Sequence, residues 1–150
     1  MNPNLKIAAA GPADVDNIAP LFDGYRQFYK QASDLEGCRK FLHERLTRGE
    51  SVVFMALLNG RAVGFTQLYP SYSSISIKPL WVLNDLFVAP GQRIHGVGSA
   101  LLERARQHAL ATGAKGLTLA TAIDNLTAQH VYEKLGWQRD TAYYHYGLTV

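Results

Sequence analysis

Apolar and polar positions recur along this chain with two different periods, and each change of period marks a new element. After a short strand over 5–9, Gly11-Pro12-Ala13-Asp14 sets a proline early and an acid in the first turn, as helix starts do. Ile18, Leu21, Phe22, Tyr25 and the Phe28-Tyr29 pair then follow helical spacing, so a helix to about residue 29 with one inward face is expected, kinked or irregular at Pro20. A second helix is expected over 35–48, with Phe41, Leu42 and Leu46 inward and Gly49 at its end. The period then falls to two. Residues 52–58, the turn Asn59-Gly60 and residues 62–69 form an antiparallel hairpin, because Asn-Gly supplies the positive φ of a type I′ turn. Residues 70–79, PSYSSISIKP, read as a polar, serine-rich connection.

Residues 80–88 are a nearly unbroken apolar run, suited to a strand covered on both faces and interrupted only by Asn84 and Asp85. Pro90 and Gly91 stop it. A helix follows with Val97, Leu101, Ala105, His108 and Ala109 on one face, and the strand over 116–121 must run parallel to 80–88 because the crossover between them is right-handed. Asp124 or Asn125 caps a last helix over 126–135, Gly136 ends it, and residues 137–139 and 142–148 pair as a final hairpin. The expected fold class is α/β (α+β): one domain over 1–150, with a mixed, mostly antiparallel sheet of about seven strands and about four helices.

Composition narrows the partners. The 150 residues are enough for a core without staples, and Cys38 is the only cysteine, which excludes an internal disulfide and fits a reducing compartment. No apolar run reaches membrane-spanning length and the N-terminus lacks a secretory pattern, so a soluble cytoplasmic protein with no membrane partner is expected. The net charge is +3, but the 15 Lys and Arg are scattered, which argues against a nucleic-acid partner. His43, His95, His108, His130 and His145 show no metal-ligand spacing, and no metal is expected.

Two features carry candidate chemistry. The first is Arg93-x-x-Gly96-x-Gly98 between a buried strand and a helix. The first N–H groups of a helix lack internal partners and its dipole is positive there, so an anion such as a diphosphate can approach where glycines remove side chains. The plainer reading is two glycines in a strand-to-helix turn. No G-K-[ST] follows, so this is not a Walker loop. The second feature is Asp85, a carboxylate inside an apolar strand. Burying it costs several kcal/mol unless it is hydrogen-bonded or paired. It is either satisfied by backbone N–H groups at a bulge, or it anchors or deprotonates a cationic substrate.

Read together, the strand, Arg93-x-x-Gly96-x-Gly98, the helix, the next strand and Asn125-x-x-Ala128-x-x-x-Tyr132-Glu133-Lys134-Leu135-Gly136-Trp137 resemble the GNAT superfamily of acyl-CoA-dependent N-acetyltransferases. The element order matches over essentially the full chain. The resemblance implies that acetyl-CoA is the acyl donor, its pyrophosphate on Arg93, Ile94, His95, Gly96, Val97, Gly98 and Ser99. It implies that pantetheine inserts where the parallel central strands splay apart, along Leu86, Phe87 and Val88, with Asn125 in contact. It implies that Tyr132 protonates the departing thiolate; the alternative for Tyr132 is a core aromatic on a helix face. A backbone N–H near Leu86, left unpaired by a bulge beside Asp85, would polarise the thioester carbonyl.

The LNDLFV segment, Phe28-Tyr29 and residues 69–74 further resemble the family's small amine and amino-acid acetyltransferases, some first described as histone-modifying. The acceptor is then a small molecule such as a polyamine or amino acid, or a peptide lysine or N-terminus. Tyr25, Phe28, Tyr29, Tyr69, Tyr72 and Asp85 are its candidate wall; core packing is the alternative for each aromatic. At neutral pH a free amine of pKa about 10.4 is unprotonated in only about one molecule in a few thousand, so a base such as Asp85 has work to do. A regulator that binds acyl-CoA without turnover is the rival reading, and the final hairpin offers an edge for a homodimer.

Overall fold

The computed structural model describes residues 2–93 and 96–150. Ile94 and His95, expected in the glycine turn, lie outside the described residues. The chain forms two compact units, the first ending at Leu119 and the second running from Ala120 to Val150.

The first unit is a five-stranded sheet in sequence order: β1 (Leu5–Ala10), β2 (Val52–Leu58), β3 (Arg61–Ser73), β4 (Lys78–Val88) and β5 (Leu117–Thr118). The first four are antiparallel neighbours; β5 runs parallel to β4, as the crossover through α3 (Val97–Ala111) requires. Asn59 and Gly60 adopt φ of 52° and 80°, the two positive values expected of the β2–β3 turn.

Side-chain alternation along β3 divides the sheet into two faces. Phe65 faces α1 (Val15–Phe28), where its ring lies 6.1 Å from both Phe22 and Tyr25. Ile18, Ala19 and Phe22 of α1, with Cys38 and Leu42 of α2 (Leu35–Thr47), complete that core. Each large apolar side chain removed from water there contributes about 1.5–3 kcal/mol. Gly64 faces α3: a Cβ at Gly64 would stand 3.1 Å from Val97 Cγ1 and 2.9 Å from the Phe87 carbonyl oxygen, so only glycine lets helix and strand approach this closely.

Several expectations change. Residues 70–73 and 78–79 are ladder rather than a long connection, pairing from Pro70–Trp81 to Ser73–Lys78 in the register that begins at Leu68–Leu83, and only 74–77 form the turn between the strands. α1 runs through Pro20 without interruption; the proline sits on the exposed face, where water can take the carbonyl its missing N–H leaves free. The expected 116–121 strand shrinks to Leu117–Thr118. Most visibly, the sheet has five strands, not about seven, since residues 137–150 form no ladder among the described residues. Where the turn of the expected final hairpin would lie there is a single bend, with Ala142 N–H donating to Asp140 Oδ1 at 2.9 Å. Strand composition does not make a strand without a partner to pair with.

The second unit holds α4 (Leu126–Lys134). Asn125 caps it by accepting from Ala128 N–H at 3.2 Å, and Gly136 turns the chain beyond it with φ 95°.

Candidate active site

The β3–β4 register slips by one residue beside Asp85. Gln67 faces Asp85 and Leu68 faces Leu83, so Asn84 is the extra residue of a β-bulge. The bulge places Asp85 on the α1 face of the sheet, only 2 % exposed. Gln67 Nε2 donates to its Oδ2 at 2.5 Å and Asn84 Nδ2 to its Oδ1 at 2.8 Å. Thr66 holds the backbone of the same residue, its hydroxyl donating to the Asp85 carbonyl at 2.8 Å. Of the two readings open for Asp85, satisfaction by backbone N–H groups is not what the bulge provides. The donors are side-chain amides. Burial pushes the Asp85 carboxyl above its usual range, with hydrogen bonds from Gln67, Asn84 and Tyr25 acting the other way.

Aromatic residues surround that carboxyl. Tyr25 OH donates to the Asn84 carbonyl at 3.1 Å. Its approach depends on the preceding residue: a Cβ at Gly24 would sit 3.2 Å from the Phe87 ring, so glycine lets α1 press onto β4 at this point. Tyr29 stacks edge-on to Tyr25 at 5.1 Å, and Phe28 edge-on to Tyr29 at 5.3 Å. Tyr69 of β3 is pushed up to about 12, first by burial and then by the Asp85 charge, while Arg45 pulls the other way. Tyr25 is raised as well, by burial and by Asp85. Both phenols are therefore neutral donors near neutral pH. Tyr72 does not join them. It stands five residues beyond Gln67 on β3, roughly 17 Å along the strand, and is 79 % exposed.

The other edge of β4 is open. β5 pairs with β4 only at Trp81–Leu117 and Val82–Thr118, so on that side the backbone of Leu86, Phe87 and Val88 has no strand partner among the described residues. The Phe87 side chain itself is committed to the α1 core, 6.4 Å from the Tyr25 ring. β4 ends in a turn, Gln92 N–H donating to the Ala89 carbonyl at 3.1 Å with Gly91 at φ 86°, the Pro-Gly pattern of a type II turn. Arg93 folds back, its Nε donating to the Val88 carbonyl at 3.1 Å. Gly96, at φ 71°, precedes α3 and offers no side-chain cap, so the first N–H groups of Val97, Gly98 and Ser99 lack that partner. A Cβ at Gly96 would meet nothing within 4 Å, and one at Gly98 only Val88 Cγ2 at 4.0 Å. Among the described residues, an uncapped helix start thus follows a strand edge that has no strand partner.

Comparison with known proteins decides what this arrangement belongs to. A model of the acetyltransferase (GNAT) family matches residues 18–137. The chain belongs to the GNAT acetyltransferase family. An uncharacterized N-acetyltransferase of Bacillus subtilis (strain 168), YhfO, is 49 % identical over 146 residues, covering 97 % of this chain and 98 % of that protein. A crystal structure of a probable acetyltransferase superposes with a TM-score of 0.92 at 44 % identity, covering 97 % of each chain. The D-amino-acid N-acetyltransferase HPA3 of Saccharomyces cerevisiae (strain ATCC 204508 / S288c) is 24 % identical over 148 residues, 96 % of this chain and 91 % of that protein.

GNAT acetyltransferases take their acetyl group from acetyl-CoA. The residues here fit that donor: an uncapped helix start suits its diphosphate, and an unpaired strand edge suits the amide-bearing pantetheine arm. Asn125 and Tyr132 lie in the second unit, where Tyr132 packs 6.1 Å from Trp137 and Asn125 Oδ1 is occupied in capping α4. Sequence reasoning missed three residues that shape the surroundings of Asp85: Gln67, Thr66 and Gly24. The signal for the first two was available, since Thr66 and Gln67 are polar in the middle of the apolar run from Val63 to Leu68; the signal for Gly24 was not, because its role lies in what it lets Phe87 approach.

Proposed function

We propose that this GNAT acetyltransferase moves an acetyl group directly from acetyl-CoA to the primary amine of a small cationic acceptor, and that Asp85 receives the proton the amine gives up. The observation that carries this reading is a buried carboxylate at a β-bulge, flanked by Tyr25 and Tyr69, with no cation among the groups that set its charge state. A carboxylate so placed favours an ammonium as counter-charge, and ring faces such as those of Tyr25 and Tyr29 favour it further. With its pKa raised, Asp85 is a better base than an ordinary carboxylate and can take the ammonium proton before the C–N bond forms.

Acetyl-CoA supplies the activated thioester. On this reading the N–H groups of Gly96, Val97, Gly98 and Ser99, with Arg93, bind its phosphates, and the open edge along Leu86, Phe87 and Val88 orients the pantetheine. Tyr132 protonates the thiolate released when the C–S bond breaks, and Asn125 contacts pantetheine; both roles rest on the Asn125 to Trp137 motif. The acceptor wall is Tyr25, Phe28, Tyr29 and Tyr69, with Tyr72 further out. Among small amines a free amino acid is a specific second reading to a polyamine, since HPA3 is named for D-amino acids. We further read the 150 residues as one catalytic domain, cytoplasmic and able to form a homodimer.

Release of CoA thiol from acetyl-CoA against polyamines, amino acids, aminoglycosides and basic peptides, beside calorimetry of acetyl-CoA binding, tests this. Turnover on polyamines or amino acids is expected. Binding without turnover on any amine would favour a non-catalytic regulator, and turnover restricted to peptides would displace the small-acceptor reading.

A further inference from the structure

We propose that Gln67 is a positioning residue for acetyl transfer: its side-chain N–H, donated across the β3–β4 ladder, holds the Asp85 carboxylate in the one orientation in which it meets the acceptor amine. This rests on the reading of Asp85 as the proton acceptor.

The side chain of Gln67 is completely buried, and its Oε1 has no hydrogen-bond partner among the described residues. A linear apolar side chain such as methionine would fill the same space and leave no oxygen unsatisfied. What the amide alone supplies is the N–H given to Asp85 Oδ2 at 2.5 Å. Gln67 is the direct cross-strand partner of Asp85, the last matched pair before the bulge at Asn84. Asn84 Nδ2 takes Oδ1 at 2.8 Å, so the carboxylate is gripped at both oxygens and its plane is set by β3 and β4 together. Gln67 cannot contact the acceptor itself, since it has no exposed surface. It acts through Asp85.

The titratable groups around Asp85 are Tyr25 on α1, with Tyr29 beside it, and Tyr69 on β3, with Arg45 of α2 acting on Tyr69. All the groups that act on Asp85 directly are neutral donors, so removing one of them is not masked by a nearby fixed charge. A hydrogen bond to the anion favours the anion; its loss must raise the pH at which Asp85 ionises.

The test is Gln67→Met, with Gln67→Asn as a second variant whose amide falls short of Asp85. The readouts are carbon-13 titration of the Asp85 carboxyl in protein alone and the pH profile of kcat/KM. The expected result is an upward move of the Asp85 titration by about one to two pH units, with the acidic limb of kcat/KM moving by the same amount and the high-pH plateau lowered several-fold, because the ionised carboxylate has lost its fixed orientation. An unchanged titration, or a plateau that stays at the wild-type level, overturns the proposal. Asp85→Asn separates the two failures. If it abolishes the acidic limb while Gln67→Met leaves that limb in place, the role of Gln67 fails; if the limb survives in Asp85→Asn, the reading of Asp85 as base fails and the role of Gln67 goes with it.

Discussion

Asp23 and Asp85 are both buried aspartates, and their surroundings send them in opposite directions. Asp23, 7 % exposed on α1, accepts from the Ser33 hydroxyl at 2.6 Å, the Asp34 backbone N–H at 2.8 Å and Gln27 Nε2 at 3.2 Å. The Ser33 and Asp34 hydrogen bonds hold its carboxyl below the usual range against burial, with Arg26 adding to the effect. Asp85 accepts from two side-chain amides, with the Tyr25 phenol beside it and no cation, and burial wins. Burial alone therefore does not decide what an internal carboxylate does. A hydroxyl, a backbone N–H and a nearby guanidinium make Asp23 a settled anion that ties residues 33 and 34 to α1, and with them Asp34, the cap of α2. Asp85, gripped by one amide from β3 and one from the residue before it on β4, has no cation to settle its charge and holds a proton more readily than an ordinary carboxylate.

The largest expected effect that tests this contrast is on turnover. Asp85→Asn should lower kcat/KM by about 10²- to 10⁴-fold at neutral pH, while Asp23→Asn should leave it within a few-fold; steady-state rates across a pH series check both. Equal losses would erase the distinction between the two carboxylates.

Stability should respond with the opposite sign. Asp23→Ala should lose about 2–3 kcal/mol, because several donors to a buried anion are left without it, whereas Asp85→Asn should raise the thermal midpoint by a few degrees. The pH dependence follows from proton counts. Folded Asp85 binds its proton more tightly than the unfolded chain does, so stability falls as pH rises from the usual carboxylate range through its raised value; Asp85→Asn removes that slope. Folded Asp23 binds its proton less tightly, so its contribution is complete above the usual range and is lost as pH falls through its lowered value. Urea midpoints of the three proteins from acid to neutral pH check both slopes.

The smallest effect sharpens how Tyr25 reaches Asp85. Gly24→Ala places a Cβ 3.2 Å from the Phe87 ring, and α1 must move off β4 by a few tenths of an ångström. A loss of about 1 kcal/mol in stability is expected, with KM for the acceptor rising more than kcat falls. A KM unchanged in the folded variant would detach Tyr25 from the acceptor site.

Local patterns carried much of this molecule. Helix starts and ends and the Asn59-Gly60 hairpin follow from neighbours within a few residues, where turn chemistry and periodicity act, and the parallel β4–β5 crossover follows from the order strand, helix, strand. The polar break at Asn84-Asp85 likewise marked a bulge before any ladder was visible. Residues 70–79 were misleading because their serine-rich centre, 74–77, is a true turn and masks the strand pairs on either side of it, and residues 137–150 because strand composition carries no partner with it.

The sequence by itself determined the family: Arg93, Gly96 and Gly98 before a helix, and Asn125 through Trp137, are contiguous motifs that need no third dimension to be recognised. Only the tertiary structure decided which polar residues share a site. Gln67 and Asp85 are 18 positions apart and Tyr25 and Asn84 are 59 apart, and each pair meets through a register slip of one residue and a helix allowed close by Gly24. Such meetings depend on ladder register and on the distance between packed backbones. Both are settled by the whole core at once, so no local stretch of residues can specify them.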